Sequence, residues 1–529
     1  MTRRSLRWFI AAPLAATGGF LLDLASPSVA IWLLAPIGVG LILAALWHQS
    51  LGRGAFFGAL AGAGFWFPHL NWLTLYLGPV PWLGLATVMT AWFALMGAAI
   101  AVTTSGVARL GVGIRVRVTA QSLAVAGIWV LREQLQGAVP YGGFPWGRLA
   151  HTQAEGPWAA SVSWFGMSGL SALIALLPAV IVAVVFGSRP MPYRRYTTVL
   201  SACLASAILF ALIPPAPQQT EGTLRVAAVQ GNSKSGIFDD RENGDVFRAH
   251  VRATEDLLER LDASGSAVDV IVWPENSAEF GLPENAPRMQ LVQRLAERAQ
   301  APIVVGTILQ DPDGRYTNSS LVVTADGASG ARYDKRRPVP FAEYMPDRDF
   351  FRALAPDLVD LVQLEYAAGI RSSVLEIPVG ESKAHFLAGI AICFDIIFDD
   401  HARAMSEAGA QVIFAQSNNA DFGRTDESAQ QLAIARLRAV ESGRALVNIS
   451  TVGTSAIIAP DGRSLDSLPT HTSGALLAEI PLRSGQTPAL QFGAWFATLW
   501  SALGLAGLAA GILGTVRARR RTRPAVESG

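Results

Sequence analysis

Cysteine and charged residues are both scarce in this sequence, and each scarcity excludes a kind of site. Only two cysteines, Cys203 and Cys393, occur in 529 residues. Cys203 lies inside a long apolar segment, so no disulfide with Cys393 is predicted. One remaining thiol cannot build a metal site, and no cofactor is predicted. Charged residues make up 16% of the chain, with a net charge of +1. This balance gives no argument for binding to nucleic acid, and no such partner is predicted.

The few charges are distributed unevenly, which divides the chain into domains. Residues 1–213 and 491–516 are almost uncharged, whereas the region between them has the composition of an ordinary globular domain. With 51% hydrophobic residues and a mean hydropathy of +0.34, the chain is predicted to be a membrane protein with a large water-soluble part. The predicted domains are a seven-helix transmembrane domain at 1–216, a soluble domain at 217–487, an eighth transmembrane helix at 488–516 and a basic cytoplasmic tail at 517–529.

Eight apolar stretches are long enough to cross a bilayer, which takes about 17–25 helical residues. Basic residues fall in every second connection between them, and cytoplasmic loops are the ones enriched in Lys and Arg. Both termini are therefore predicted to be cytoplasmic, and the soluble domain to lie on the outer face. A cleaved signal peptide would leave an odd number of spans and disrupt this alternation. The predicted spans are 8–25, 29–48, 54–77, 80–105, 118–136, 158–186, 197–213 and 491–515.

One outer loop differs from the others in composition. Its sequence, Val139-Pro-Tyr-Gly-Gly-Phe-Pro-Trp-Gly-Arg148, cannot continue a helix and is too apolar for a freely solvated loop. It is either a membrane-interface turn with aromatic anchors or a segment below the soluble domain that lines an entry for lipid. Asp23 and the pair Arg132–Glu133 lie at predicted outer ends of spans, where charge is tolerated, and no chemistry is assigned to them.

The soluble domain alternates strand-like and helical patterns, which predicts an α/β fold. The strand-like runs are 224–230, 268–273, 302–309, 319–324, 386–392, 412–416, 446–450, 455–459 and 475–480. The helical patterns lie near 244–264, 287–300, 397–408 and 426–442. A domain of this size is large enough to bury a full core.

Three reactive side chains are predicted to lie at strand ends in this domain. Cys393 closes an apolar run, Glu275 follows another apolar run and a proline, and Lys335 precedes Glu343 in a proline-broken, non-helical stretch. Such a set can perform covalent acyl transfer, because a carboxylate accepts the thiol proton while an ammonium favours the thiolate and stabilises the oxyanion. Each residue also has an ordinary alternative: a small buried apolar group for the cysteine, a helix cap for the glutamate and a surface ion pair for the lysine.

These residues resemble the Glu–Lys–Cys triad of the nitrilase, or carbon–nitrogen hydrolase, superfamily. The matching stretches are Trp-Pro-Glu275, Tyr-Asp-Lys335-Arg followed by Pro-Phe-Ala-Glu343-Tyr, and Cys393. The eight predicted spans and the loop Gly-Gly-Phe-Pro-Trp146 narrow the resemblance to the apolipoprotein N-acyltransferase family, over nearly the whole chain.

The resemblance implies a nitrilase-like αββα sandwich at the outer face of a bacterial cell membrane, in a multi-pass protein. It also implies that an acyl chain passes from a phospholipid of the bilayer to a cysteine thioester, and then to the α-amine of the diacylglyceryl-cysteine that begins an apolipoprotein. Carried over by position, Cys393 is the nucleophile, Glu275 the general base and Lys335 the support for the oxyanion.

Four supporting residues follow from the same correspondence of positions: Glu343, Phe394, Asp395 and Asn418. Glu343 is expected to orient the lysine, and the backbone N–H of Phe394 to contribute to the oxyanion site. Two positions depart from the family pattern. Asp395 stands where many members have glutamate, and Asp421 stands where an aromatic residue is common.

Two alternatives come from other functional classes. A membrane-tethered amidase of the same superfamily would pass its acyl group to water. Its small amide substrates would not require a membrane domain of eight spans with an apolar outer loop. A non-catalytic lipid-binding or transport protein needs no thiol flanked by glutamate and lysine, and paired charges within the spans, typical of transporters, are not expected here.

Overall fold

The computed structural model describes residues 5–186, 193–236, 240, 242–379 and 384–522, so most of the predicted basic tail lies outside the described residues. The chain divides into two compact units. The first comprises Met1–Thr74, Gly78–Pro214 and Gln491–Gly529, and the second comprises Leu75–Leu77 and Pro215–Leu490.

The first unit is helical, and a helix is present at each of the eight predicted spans. The helices in this part of the chain are α1 (Trp8–Ala25), α2 (Leu34–Leu46), α3 (Leu51–His69), α4 (Thr74–Leu77), α5 (Pro79–Val107), α6 (Ile114–Gln136), α7 (Val162–Val185) and α8 (Tyr193–Ala211), and the C-terminal helix Pro488–Thr522. Within the described residues, five helical segments are long and apolar enough to cross a membrane: Trp8–Ala25, Pro79–Val107, Ile114–Gln136, Ala159–Val185 and Pro488–Arg520. The apolar helices Leu34–Leu46 and Tyr196–Ala211 are shorter. The chain is therefore a membrane protein with several apolar helices.

The prediction of one continuous span at 54–77 is wrong at its C-terminal end. Helix α3 ends one residue after Pro68, and a 3-10 turn at Asn71–Leu73 and the short helix α4 follow. Gly78 then has a φ of 75°, a left-handed conformation that residues with a Cβ rarely adopt, and α5 begins. Proline and glycine therefore divide this apolar run into separate helical segments.

Polar side chains of α6 hold the proline- and glycine-rich loop against the helices of this unit. Glu133 Oε1 accepts a hydrogen bond from the Leu149 N–H at 3.0 Å. The Gln136 amide donates to the carbonyl oxygens of Phe144 at 2.9 Å and Trp146 at 3.0 Å. Non-helical backbone inside an apolar unit needs such partners, because water is not available to supply them. These side chains thus have a structural role that the sequence analysis did not assign.

A pair of ionisable side chains also connects two predicted spans, contrary to the expectation from the sequence. His69 Nδ1 of α3 lies 3.2 Å from Asp23 Oδ1 of α1. His69 is buried, and its ring stacks on that of Phe65 with the centroids 4.7 Å apart. The pair was not predictable because residues 46 positions apart meet only when the two helices pack.

Two six-stranded sheets form the second unit. Its strands are β1 (Gly222–Gln230), β2 (Val270–Val272), β3 (Ile303–Gln310), β4 (Tyr316–Thr324), β5 (Gly327–Asp334), β6 (Val374–Pro378), β7 (His385–Ile392), β8 (Val412–Ser417), β9 (Leu446–Ser450), β10 (Ser455–Ile458), β11 (Ser464–Leu468) and β12 (Gly474–Leu482). The strand order is β12-β1-β2-β3-β4-β5 in the first sheet and β11-β10-β9-β8-β7-β6 in the second. The helices of this unit are α9 (Asp245–Ser264), α10 (Ala286–Ala299), α11 (Arg348–Leu354), α12 (Pro356–Val359), α13 (Asp399–Glu407) and α14 (Glu427–Ser442).

The alternation of buried side chains along β1 explains the stacking of layers. Val226 and Ala228 belong to the apolar core between the sheets, together with Phe414 of the second sheet. Ala227 and Val229 point the other way and pack with residues of α9 and α10. Because successive side chains of a strand face opposite sides, one strand contributes to both cores. Helices α13 and α14 contact the second sheet, which completes an αββα sandwich.

Three strands and two short helices were not predicted: β5, β6, β11, α11 and α12. The sequence of β5, Gly-Ala-Ser-Gly-Ala-Arg-Tyr-Asp, contains almost no large apolar residue. It becomes a strand by pairing with β4, where Asp334 lies opposite Ser319. This strand determines the position of Lys335, which follows it directly.

Parallel pairing brings the reactive ends of the strands together. Strands β7, β8 and β9 are mutually parallel, so their C-terminal ends lie at one edge of the second sheet. In the first sheet β2 is parallel to β1 and β3. The Gln416 amide at the end of β8 donates to the carbonyl oxygen of Trp273 after β2 at 2.6 Å, which joins the two sheets near these ends.

Candidate active site

Cys393 terminates β7 in a strained turn. Its φ is +49°, a left-handed conformation that is uncommon for a residue with a side chain and is often found at functional sites. A 3-10 turn, Cys393–Ile397, follows immediately. The side chain is half-buried, and Gln431 Nε2 lies 3.6 Å from its sulfur atom. The thiol therefore stands at the end of the strand, where the chain turns away from the sheet.

Asp395 anchors this turn and is completely buried. Its Oδ2 accepts hydrogen bonds from the Ile392 N–H at 3.1 Å and the Tyr333 hydroxyl at 2.7 Å. Its Oδ1 accepts from the Arg337 N–H at 2.9 Å. Burial and the neighbouring carboxylate raise the pKa of Tyr333, which keeps its hydroxyl group as a donor. Asp395 thus joins the end of β7 to the end of β5.

Glu275 follows β2 and Pro274, and only 4% of it is exposed. Its Oε1 accepts from Asn318 Nδ2 at 2.7 Å and from Lys335 Nζ at 3.1 Å. Its Oε2 accepts from the Asn418 N–H at 2.8 Å. Three donors from different segments therefore fix the orientation of this buried carboxyl group.

Lys335 lies between two carboxyl groups and is 2% exposed. Its Nζ is 3.1 Å from Glu275 Oε1 and 2.9 Å from Glu343 Oε2. Glu343 is itself held by the Val339 N–H, which donates to Oε2 at 2.7 Å, and by Asn318 Nδ2, which donates to Oε1 at 3.0 Å. The structure thus brings three of the residues chosen from the sequence into direct contact.

The charges of this cluster act on the Cys393 thiol. Burial raises the pKa of Glu275, although Lys335 opposes the rise. Burial alone would lower the pKa of Lys335, but Glu275 and Glu343 carry it well above its ordinary value, so the ammonium form is retained. Burial also raises the pKa of Cys393 well above its ordinary value; Glu275 adds to the rise, and Lys335 opposes it. The resting thiol is therefore protonated at neutral pH, and a proton acceptor is needed to activate it.

The two remaining supporting residues are Asn418, which follows β8, and Phe394, which lies in the turn after β7. The side chain of Asn418 is fixed because Nδ2 donates to Ser235 O at 2.9 Å while the Thr451 hydroxyl donates to Oδ1 at 2.6 Å. Phe394 is buried beside Phe398, with an edge-to-face ring contact at 5.1 Å. The backbone N–H of Asn418, rather than its side-chain amide, is the group that contacts Glu275.

Sequence reasoning missed several polar residues of the site: Asn318, Asn419, Glu427 and Gln431. Asn318 belongs to an uninterrupted polar run in the buried strand β4, and such a run is a signal that could have identified it. Glu427 and Gln431 are one helical turn apart on α14 and are both buried. In the described part of the chain, no group of three or more His, Cys, Asp or Glu side chains could hold a metal ion.

The αββα sandwich, which carries Glu275, Lys335 and Cys393 at its strand ends, is the fold of the carbon–nitrogen hydrolase superfamily. The family model for carbon-nitrogen hydrolases matches residues 225–488, and that for the apolipoprotein N-acyltransferase N-terminal domain matches residues 18–180. Among solved structures, Saccharomyces cerevisiae Nit3, a member of branch 10 of the nitrilase superfamily, aligns with 53% of this chain and 96% of its own, at 16% identity and a TM-score of 0.36.

Relatives match both halves of the chain. The apolipoprotein N-acyltransferase of Mycolicibacterium smegmatis is 32% identical over 512 residues, which cover 91% of this chain and 82% of that protein. The apolipoprotein N-acyltransferase of Gloeobacter violaceus is 30% identical over 522 residues, which cover 96% and 95% of the two chains. The chain belongs to the apolipoprotein N-acyltransferase family.

Removing the negative charge of Asp395 should loosen the turn that carries the thiol. In Asp395→Asn, one of the three donors would face an amide NH₂ group, and an unsatisfied buried group costs about 1–3 kcal/mol. The purified full-length variant should therefore melt at a lower temperature. Asp400→Asn makes the same change on an exposed residue and should cost less than about 0.5 kcal/mol. Equal melting temperatures for the two variants would contradict the anchoring role of Asp395.

Proposed function

We propose that this protein transfers an acyl chain from a membrane phospholipid, through a thioester on Cys393, to the α-amino group of the diacylglyceryl-cysteine that begins an apolipoprotein. The observation that carries the proposal is the buried cluster of Glu275, Lys335 and Glu343 in the same unit as the strained Cys393 turn. The match of the helical half to the N-terminal domain of apolipoprotein N-acyltransferases supports a transferase over an amidase of the same superfamily.

In the first half-reaction, the Cys393 sulfur attacks the ester carbonyl carbon of the phospholipid. Glu275 accepts the thiol proton, and the raised pKa of this buried carboxyl group suits it to hold that proton. The carbonyl oxygen becomes an oxyanion, which the Lys335 ammonium and the Phe394 N–H stabilise. The bond to the glycerol oxygen then breaks, and this oxygen takes the proton from Glu275. The products are the thioester and a lysophospholipid.

In the second half-reaction, the free amine of the acceptor attacks the thioester carbonyl carbon. Glu275 accepts a proton from the amine nitrogen as the new C–N bond forms. The carbon–sulfur bond breaks, and the Cys393 thiolate leaves and regains a proton from Glu275. The Glu275 carboxyl group thus accepts a proton and then donates it in each half-reaction. This role requires that the group be held in a fixed place.

Glu343, Asn318 and Asn418 hold the reacting groups in place. Glu343 and Glu275 share the Lys335 ammonium, and Asn318 donates to both carboxyl groups. The Asn418 N–H holds the second oxygen of Glu275. Because an orientation error of a fraction of an ångström reduces catalysis, these contacts are positioning contacts for the base and the ammonium.

Eight membrane spans with both termini in the cytoplasm would place the catalytic unit on the outer face of a bacterial cell membrane. The basic residues in alternate connections support this orientation, and the helix found at each predicted span is consistent with it. The phospholipid donor and the lipid-modified acceptor both reside in that membrane, so the unit would meet them at its surface. The seven-helix domain at 1–216, the catalytic domain at 217–487, the eighth helix at 488–516 and the tail at 517–529 are the domain boundaries that go with it.

Cys393 should carry the acyl chain. When the full-length protein is incubated with phospholipid labelled in its acyl chains, a labelled thioester that hydroxylamine removes should form. Cys393→Ala should form none, whereas Cys203→Ala, which alters the other cysteine, should be labelled normally. A label that persists on Cys393→Ala would exclude this residue as the nucleophile. Release of the label to water, with none on a diacylglyceryl-cysteine peptide, would instead favour an amidase.

Acylation should require both Glu275 and Lys335. Glu275→Gln removes the proton acceptor and should slow single-turnover acylation by at least about 10²-fold. Lys335→Ala removes an oxyanion donor, with an expected loss of about 10²–10³-fold. Lys335→Arg should be nearly as damaging, because a planar guanidinium cannot take the place of a compact buried ammonium. Melting temperatures establish that each variant is folded. Acylation at the normal rate by a folded Glu275→Gln protein would show that another residue is the base.

The orientation can be tested with single introduced cysteines in a Cys393→Ala background. Ser264→Cys places a thiol at an exposed site of the catalytic unit, and Gly113→Cys places one in the exposed connection before α6. A membrane-impermeant maleimide applied to intact cells should label Ser264→Cys but not Gly113→Cys, since only the first is expected outside. Labelling of both should occur after lysis. The opposite pattern in intact cells would invert the topology.

A further inference from the structure

One buried polar side chain contacts the reactive sulfur and has no part in the reaction described above. Gln431 of α14 is 2% exposed, and its Nε2 lies 3.6 Å from Cys393 Sγ, within hydrogen-bond reach of a sulfur atom. An amide NH₂ group can only donate, and a donor favours negative charge on the atom it contacts. Gln431 is therefore placed to act on the charge of the sulfur.

Neighbouring groups determine which way the Gln431 amide points. Its Oε1 accepts from Asn419 Nδ2 at 3.0 Å, which leaves Nε2 facing the sulfur. Asn419 Oδ1 accepts from the Ser450 hydroxyl at 2.6 Å, and Ser450 Oγ accepts from the Gly453 N–H at 2.9 Å. The donor and acceptor of every hydrogen bond in this series follow from the backbone N–H of Gly453, which can only donate. A flipped Gln431 amide would set two donors against each other.

Glu427 completes the orientation of Asn419. Its Oε2 accepts from Asn419 Nδ2 at 2.7 Å, so both side-chain N–H groups of Asn419 have acceptors. Burial raises the pKa of Glu427 to about 8, so this carboxyl group is mostly uncharged at neutral pH. In this uncharged form Glu427 orients Asn419 without placing negative charge near the thiolate, whereas its ionised form raises the pKa of Cys393. The other charged groups around the thiol are Glu275, Lys335 and Glu343 at the first sheet and Asp395 in the turn of the thiol itself.

We propose that Gln431 is a further catalytic residue, which stabilises the Cys393 thiolate by donating a hydrogen bond to its sulfur, and that Asn419 and Glu427 are its positioning residues. This inference rests on the proposed acyl transfer. Lys335 is already held by two carboxyl groups, so the sulfur benefits from a donor of its own.

The proposed donor acts at two points of the reaction. In the first, the S–H proton moves to Glu275 and the sulfur forms its bond to the acyl carbon, so negative charge develops on sulfur before that bond is complete. In the second, the amine has added to the acyl carbon and the carbon–sulfur bond breaks, so the electron pair returns to sulfur until a proton arrives from Glu275. The Gln431 N–H lowers the barrier at both points and is not itself consumed.

The pH dependence of Cys393 alkylation by iodoacetamide measures the thiolate in the full-length protein. The experiment uses a Cys203→Ala background, so that one thiol reacts. Gln431→Leu removes the donor at similar volume. At a fixed pH below the thiol pKa, the alkylation rate should fall about 10- to 100-fold, the range for losing one hydrogen bond to a charged group, and the profile should move to higher pH. Gln293→Leu makes the same substitution on α10 and should match the parent protein.

Gln431→Glu separates the loss of the hydrogen bond from a change in packing. It keeps the size of the side chain and an oxygen that accepts from Asn419, but its carboxylate would repel the thiolate. Alkylation should therefore be slower than in Gln431→Leu once this carboxylate ionises. The expected order of rates is parent, Gln431→Leu and then Gln431→Glu. Profiles like that of the parent in both variants would overturn the inference.

Thioester formation from labelled phospholipid distinguishes this inference from the proposed function. Single-turnover acylation should fall in Gln431→Leu by a factor similar to that for alkylation. If the parent forms no thioester while the alkylation profiles shift as expected, the proposed function fails and the role of Gln431 at the thiolate stands. If the parent forms the thioester and Gln431→Leu equals it in both measurements, the inference fails and the proposed function stands.

Discussion

The buried ammonium group of Lys335 constrains the catalytic unit. Lys335 is 2% exposed, and an ammonium group removed from water is tolerated only when negative charge and hydrogen bonds compensate for the lost hydration. Glu275 and Glu343 supply both. Glu275 follows β2, Lys335 follows β5, and Glu343 lies in a turn beyond β5. Pairing the cation with both carboxyl groups therefore requires three segments to meet at one point. Burial, opposed by the cation, raises the pKa of Glu275, and the carboxyl group that neutralises the lysine is thereby suited to hold a proton.

Buried polar bonds, in addition to apolar contact, join the two sheets around this cation. Glu275 of the first sheet accepts from Asn418 after β8, and Tyr333 of the first sheet donates to Asp395 after β7. In a low-dielectric interior such bonds are strong when made and costly when broken, so they hold the strand ends in register. The strained φ of Cys393 persists because Asp395 ties both sides of its turn. Stability and chemistry therefore depend on the same contacts.

The helical unit uses polar groups for a different purpose. Its glycines let helices approach closely: a Cβ on Gly54 would lie 2.7 Å from the carbonyl oxygen of Gly97. Its buried Glu133 and Gln136 satisfy the backbone of a loop that proline and glycine exclude from a helix. The first function of these polar side chains is to make irregular backbone tolerable in an apolar environment, which composition alone did not reveal.

The sequence by itself determined the division into apolar helices and an α/β domain, and the placement of Glu275 and Cys393 at strand ends, because run length and periodicity are local properties. It left out β5, whose Gly- and Ser-rich sequence is a strand only through pairing with β4, and with it the reason for the position of Lys335. Only the tertiary structure decided that Asn318 bridges two carboxyl groups and that Gln431 reaches the sulfur. Those contacts join residues that are distant in sequence, and they exist only once the two sheets and α14 have packed.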